Sequence, residues 1–232
     1  MHILLTRPLE DIQELILKFQ ELGHVVSHMP VIKIEKVNYK SINFSEFSGI
    51  IFTSSNAIKY LDTRIIDKNK ICFCVGSATE KKARSVGFQN VISADGNVSN
   101  LKELILQNFN PSSGKLLYVS GEVTTNDLDQ DLISNGYDVK RIINYTARSI
   151  ENLDEKFIEK LKQKMPDIVY VYSQNSALSF LKLIKNYNLS DFWMNTNLMC
   201  ISEKTSSILN EIKWKKIFIF SSGEEEFLLY KI

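Results

Sequence analysis

Ile50-Ile51-Phe52-Thr53-Ser54-Ser55-Asn56-Ala57 and Val169-Tyr170-Val171-Tyr172-Ser173-Gln174-Asn175-Ser176 carry one pattern. Each is an apolar run that stops at a polar cluster and passes into an amphipathic stretch, as a buried strand entering a helix does. Downstream, Cys74-Val75-Gly76-Ser77-Ala78-Thr79 is echoed by Cys200-Ile201-Ser202-Glu203-Lys204-Thr205. A different pair matches across the same divide. Leu4-Leu5-Thr6-Arg7, then Leu22-Gly23-His24-Val25-Val26, resembles Tyr118-Val119-Ser120-Gly121, then Asn135-Gly136-Tyr137-Asp138-Val139. With the latter type called A and the former B, the order along the chain is A, B, A, B. Two similar α/β domains are expected, with a ligand held between them.

Working outward, strands are expected over residues 3–6, 25–31, 49–53, 71–75, 91–92, 116–119, 139–145, 168–172, 198–201 and 217–220. Helices are expected over 11–22, from about 55, and over 79–86, 97–108, 127–134, 155–164, 176–184, 204–210 and 224–230. In the first helix Ile12, Leu15, Ile16, Phe19 and Leu22 follow helical spacing, and Gly23 supplies a left-handed stop. The alternation of strand and helix implies parallel sheets. An A unit supplies two strands and a B unit three, so one of each makes a five-stranded doubly wound domain of flavodoxin-like strand order. The repeat leaves open which A joins which B. One economical closure pairs the first A with the last B. It gives a discontinuous domain of residues 1–34 with 147–232 and an inserted one of 38–145. The chain then crosses near 32–40 and 144–150, where it is extended and polar, forming a two-stranded linker.

Composition narrows the class. A hydrophobic share of 44% in 232 residues is that of a globular protein, and a net charge of +1 gives no general pull toward nucleic acid or an acidic membrane. No apolar run reaches the roughly 18 residues of a membrane helix. The chain opens on Ile3-Leu4-Leu5 without a basic segment and apolar signal core, so a cytoplasmic protein is expected. Cys72, Cys74 and Cys200 fall within apolar strands, which suits buried thiols better than a metal site. His2, His24 and His28 read as surface or strand-edge histidines.

Polar turns follow six strands: Thr6-Arg7, Thr53-Ser54-Ser55, Gly76-Ser77-Ala78-Thr79, Ser120-Gly121, Ser173-Gln174-Asn175 and Ser202 to Thr205. Open parallel sheets bind ligands at this edge, where free backbone N–H groups attract anions. The same residue types also serve as plain helix caps. There is no glycine-rich dinucleotide or phosphate loop, no nucleophile elbow and no metal-ligand spacing. An enzyme built this way would use no cofactor and would work by positioning and backbone hydrogen bonds.

Leu4-Leu5-Thr6-Arg7-Pro8, Ile51 to Ala57, Val75-Gly76-Ser77-Ala78-Thr79, and Gly136 followed by Val139 and Tyr145 resemble the uroporphyrinogen-III synthase family in order and spacing. The resemblance implies two α/β domains, the first built from both chain ends and joined to the second by two strands. It implies a monomeric, cofactor-free lyase of tetrapyrrole biosynthesis acting on hydroxymethylbilane, with no nucleic-acid or membrane partner. The linear substrate would lose its terminal hydroxyl as water, leaving an azafulvene. Attack through the substituted carbon of the last ring would give a spiro intermediate, which reopens and closes with that ring inverted.

By residue, the family's linker tyrosine falls on Tyr145, either a proton donor to the departing hydroxyl or an aromatic packed in the linker. Thr79 and Thr205 fall where the family places a threonine, to bind substrate carboxylates or to cap helices. Thr53, Ser54, Ser55, Asn56, Ser77, Ser120, Gly121, Ser173 and Ser176 would line the substrate, and Arg7 would meet a carboxylate or lie on the surface. Ser202-Glu203-Lys204 departs from the family's glycine-led turn. Two rivals share the fold: a non-catalytic binder of a small anion, which has no need of Tyr145, and a degenerate member kept for protein interactions. A sugar-nucleotide transferase is a third, without a nucleotide motif to support it.

Overall fold

The computed structural model describes residues 1–95, 98–124, 126–221 and 223–225. It separates into two compact units, one of residues 1–33 with 148–232 and one of residues 34–147.

In the first unit β1 (His2–Leu5), β9 (Ile168–Val171) and β10 (Asn197–Cys200) are buried along their whole length. Such runs belong in the middle of a parallel sheet covered on both faces. The less buried β2 (Val25–His28) and β11 (Lys216–Ile219) form its edges. The order is β11-β10-β9-β1-β2, with every pairing parallel. Side-chain alternation divides the core into two layers. Leu4, Val169, Val171, Leu198 and Cys200 pack with Ile158 and Leu161 of α6 (Glu155–Gln163) and Ala177 and Phe180 of α7 (Gln174–Asn186). Ile3, Leu5, Ile168, Tyr170 and Met199 pack on the other face with Phe19 of α1 (Gln13–Glu21).

The second unit contains β4 (Phe47–Phe52), β5 (Ile71–Val75), β6 (Val91–Ala94), β7 (Lys115–Gly121) and β8 (Val139–Ser149), with β3 (Ile32–Lys36) beside β8. The order is β3-β8-β7-β4-β5-β6. One face carries α2 (Ser55–Lys59) and α3 (Ser77–Ser85) over Ile50, Phe52, Cys72, Cys74, Leu117 and Val119. The other carries α4 (Val98–Asn108) and α5 (Leu128–Ser134) over Ile51, Phe73, Leu116 and Tyr118. Counted from β7, this sheet runs 2-1-3-4-5, as the first does counted from β1. The two units are thus circular permutations of one doubly wound sheet, as the A, B, A, B pattern implies, and β1 of the first A pairs with β9 of the last B.

The structure corrects several element boundaries. The strand expected over 25–31 stops at His28, ahead of Pro30, which cannot donate to a ladder. The stretch expected as connector over 146–150 lies largely within β8, and residues 32–36 form β3. The boundaries of the units fall inside these two strands. A 3-10 segment, Ser190–Asn195, is absent from the sequence reading and buries Trp193 against Phe180 and Trp214. His2, read as surface or strand edge, is buried in β1 with Nε2 2.8 Å from the Ser27 hydroxyl. Residue 97, the expected start of α4, and residues 226–230 of the helix expected over 224–230 lie outside the described residues.

Candidate functional site

The C-terminal edge of the second unit's sheet is organised by an irregularity. Ser120 of β7 pairs with Ile143, whereas Gly121 pairs with Tyr145, so Asn144 is the extra residue of a bulge. Ile142 and Tyr145 pack in the same core layer, although three positions apart in an unbroken strand would place them on opposite faces. Asn144 is fully buried and its Nδ2 donates to the Ala57 carbonyl of α2 at 2.7 Å. Its own carbonyl accepts from the Val37 amide at 2.9 Å. The bulge thus turns Asn144 and Tyr145 together toward α2.

Tyr145 lies there beside the Ser54 hydroxyl and the backbone of Gly121. Burial raises the phenol's pKa above its usual value, partly offset by these two polar neighbours. Ser54 is the N-cap of α2, with extended backbone (φ −154°, ψ 144°), and its oxygen accepts from the Asn56 amide at 3.2 Å. The Tyr145 ring lies on the Cα of Gly121, so a Cβ there would stand 2.8 Å from Cζ.

The other face of the same edge holds a second polar group. Arg141 donates from Nε to the Ser120 hydroxyl at 2.8 Å and from a terminal nitrogen to the Gly121 carbonyl at 3.0 Å. Its guanidinium lies 5.8 Å from the centre of the Tyr118 ring, whose hydroxyl is 3.2 Å from that of Thr53. Thr146 donates to the Glu122 carboxylate at 2.6 Å. The sequence reading places Ser120 at the open edge. Strand alternation instead turns it inward with Tyr118, fully buried under Arg141. Thr53, Ser54, Ser55 and Asn56 are partly exposed and Ser77 is exposed. Thr79 is buried in the first turn of α3. The N-cap of α3 is Gly76, at φ 77°, and no side chain caps that helix. Its first N–H groups are therefore available to an anion.

In the first unit the corresponding turns close on themselves. Ser173 caps α7, accepting from the Ser176 amide at 3.0 Å, and the two hydroxyls lie 2.8 Å apart. Ser202 caps α8 (Glu203–Ser207) by accepting from the Thr205 amide at 3.2 Å, and the buried Thr205 hydroxyl is 3.0 Å from that of Ser202. The departure at Ser202 from a glycine-led turn thus has a structural consequence: extended backbone and a side-chain cap replace the positive φ and open helix start of Gly76. Arg7 lies 3.5 Å from the Asp11 carboxylate and 4.9 Å from the centre of the Tyr172 ring.

A sequence model of uroporphyrinogen-III synthase HemD matches residues 13–226. The chain belongs to the uroporphyrinogen-III synthase family. It is similar to a porphyrin biosynthesis protein HemD of Ruminiclostridium josui, 24% identical over 88% of this chain and 42% of that protein. It is also similar to the uroporphyrinogen-III synthase of Saccharomyces cerevisiae, 26% identical over 52% of this chain and 50% of that one. The matches thus span half or less of the length of these curated relatives. Among solved structures, uroporphyrinogen-III synthetase from Helicobacter pylori covers 100% of this chain and 99% of its own at 18% identity, with a TM-score of 0.64. A mutant synthase from Thermus thermophilus covers 97% and 94% at 14% identity, with a TM-score of 0.57. At these identities the likeness carries the fold. The family's pattern does not announce Arg141, Tyr118, Glu122 or Asn144, which build this edge around the matched tyrosine. Arg141 is one of several polar residues of β8, so nothing in the sequence signals its place here.

Proposed function

We propose that this protein is a uroporphyrinogen-III synthase. It would convert hydroxymethylbilane to uroporphyrinogen III with loss of water and inversion of the last pyrrole ring. Membership of the family supports the reading, and one observation in the structure carries it: the bulge at Asn144 sets the Tyr145 phenol over Gly121 at the C-terminal edge of a parallel sheet. A phenol at that edge is placed to give a proton to a substrate bound there.

The chemistry balances on that group. Tyr145 donates its proton to the terminal hydroxyl, which leaves as water as the carbon–oxygen bond breaks, and the pyrrole nitrogen's electrons form the azafulvene as its N-protonated cation. The resulting phenolate lies beside Ser54 and Gly121. Carbon–carbon bond formation through the substituted position gives the spiro intermediate. Reopening and closure on the other carbon follow, and the proton lost when the last ring regains aromaticity returns to the phenolate.

Thr53, Ser55, Asn56, Ser77, Thr79 and the open N-terminus of α3 would receive substrate carboxylates on the second unit. Ser173, Ser176, Thr205 and Arg7 would do so on the first. In this reading the two units are the enzyme's two domains, and the protein works as a cytoplasmic monomer without a cofactor. Among the described residues no helix is long and apolar enough to cross a membrane.

Turnover of fresh hydroxymethylbilane by the native protein and by Tyr145→Phe tests the assignment. The native protein should accelerate cyclisation, and the phenylalanine variant should lose roughly 10²-fold or more in kcat, the scale of one general acid. Equal rates for the two proteins would remove Tyr145 from the mechanism.

A further inference from the structure

We propose that Arg141 is a fixed receiver for one carboxylate of the substrate. Ser120, expected from the sequence to line the substrate, is instead the positioning residue that holds Arg141 for it. The inference rests on the reading of the protein as a uroporphyrinogen-III synthase and adds a binding residue that the family pattern does not announce.

Register and hydrogen bonding place the guanidinium. Arg141 pairs with Tyr118 across the sheet, yet its hydrogen bonds go to Ser120, Gly121 and Glu122. The side chain therefore runs along β7 to its C-terminal end, the edge at which open parallel sheets take ligands. A guanidinium carries five N–H donors. Nε gives its one to the Ser120 hydroxyl at 2.8 Å. One terminal nitrogen gives its two to the Gly121 carbonyl at 3.0 Å and the Glu122 carbonyl at 3.4 Å. The Ser120 hydroxyl gives its own proton to the Gly121 carbonyl at 3.1 Å, which leaves its oxygen free to accept from Nε. The two N–H groups of the other terminal nitrogen have no partner among the described residues. That nitrogen is not among the buried unpartnered atoms, so it is open to a ligand.

The charge is unanswered as well. All three acceptors are neutral oxygens, and no carboxylate among the described residues forms an ion pair with Arg141. Glu122 turns its carboxylate to the Thr146 hydroxyl at 2.6 Å, and Asp129 is buried in the first turn of α5. Arg7, the arginine that the sequence offers for a carboxylate, already has Asp11 at 3.5 Å. Arg141 is thus a cation pinned by neutral groups, with the Tyr118 ring 5.8 Å away. Its planar fork is ordered before a ligand arrives, so an incoming carboxylate has little further ordering to impose. With one terminal nitrogen free, the contact is end-on, through both N–H groups of that nitrogen.

Calorimetric titration of the full chain with uroporphyrinogen III, kept reduced under argon, reads binding without turnover. Arg141→Gln should raise Kd about tenfold or more, the scale of one hydrogen bond to a charged group. Arg141→Lys keeps the charge and loses the fork, so it should fall between the two, and it answers the question if the glutamine variant does not fold. Ser120→Ala should weaken binding in the native background and leave Kd unchanged in the Arg141→Gln background, because it acts only through the arginine. With hydroxymethylbilane, Arg141→Gln should raise KM and leave kcat nearly unchanged, the mark of a contact made equally in ground and transition states. Native Kd and KM in both Arg141 variants overturn the receiver, as does absence of binding by the native protein. Equal weakening by Ser120→Ala in both backgrounds overturns the positioning role. Binding and turnover fail separately: isomer III formed with unchanged Kd and KM in the variants would leave the synthase reading standing, and Arg141-dependent binding without isomer III would remove that reading alone.

Discussion

Gly121→Ala isolates the packing that holds Tyr145. Gly121 is not among the glycines with positive φ, so alanine meets no backbone strain there. The cost is steric. The added Cβ would stand 2.8 Å from Cζ of Tyr145, against an ordinary carbon–carbon contact of about 3.5 Å or more, so the ring must retreat by about 0.7 Å. Overpacking of this kind costs about 1–3 kcal/mol. Lost chain entropy in the unfolded state returns about 0.4–1 kcal/mol. The net loss should be about 1–2 kcal/mol. Because the ring is displaced, kcat should fall on the order of 10²-fold, the scale of a 1 Å misplacement. Urea unfolding of Gly121→Ala, Tyr145→Ala and the double variant measures the coupling. Without the ring there is no clash, so in the Tyr145→Ala background the alanine should be neutral or slightly stabilising. An equal loss in both backgrounds would refute the reasoning, since the cost would then arise elsewhere.

Other perturbations follow from the same geometry. Asn144→Ala should cost about 1–3 kcal/mol in urea unfolding, because it leaves the buried Ala57 carbonyl without its donor, and a neutral result would show the bulge to be held by other contacts. Trp193→Ala should cost about 3–5 kcal/mol, as the fully buried indole fills the space beside Phe180 and Trp214, and less than 1 kcal/mol would show that the site collapses. Burial raises the phenols of Tyr118, Tyr145, Tyr170 and Tyr172. Both states keep these protons below the unfolded value of about 10, and above it the unfolded chain releases them first. Stability is thus retained below that pH and lost as pH rises through the folded values, and unfolding midpoints that rise with alkalinity would contradict this. Burial lowers His2, so its contribution is present above the unfolded value of about 6.5 and lost as pH falls through the folded one. His2→Gln should flatten that acid limb, and an unchanged limb would exclude His2 as its source.

The architecture was legible because it rests on short-range patterns repeated in permuted order. The fully apolar runs at Ile3 to Leu5, Ile50 to Phe52 and Val169 to Val171 can only be central parallel strands, and Gly23 and Gly136 mark turns at positive φ. The candidate site was legible at the level of edges, less so at the level of atoms. Ile142-Ile143-Asn144-Tyr145 reads as part of one unbroken strand, and only the register with β7 reveals that Asn144 is extra. The same register decides that Ser120 faces inward to Arg141 while Gly121 meets Tyr145. Which of two adjacent polar residues is exposed depends on pairing across the sheet, which no local window of sequence contains. Trp193 escaped for a related reason: its 3-10 segment has little pattern of its own and is held by packing on α7.

The most direct measurement is the isomer formed from fresh hydroxymethylbilane, with and without this protein, after oxidation and separation of uroporphyrins I and III. Uncatalysed closure gives the uninverted isomer I. The account predicts that isomer III predominates when the protein is present and only then. Isomer I in both samples, from a folded protein, would contradict it and leave a two-unit protein that binds its ligand without turning it over.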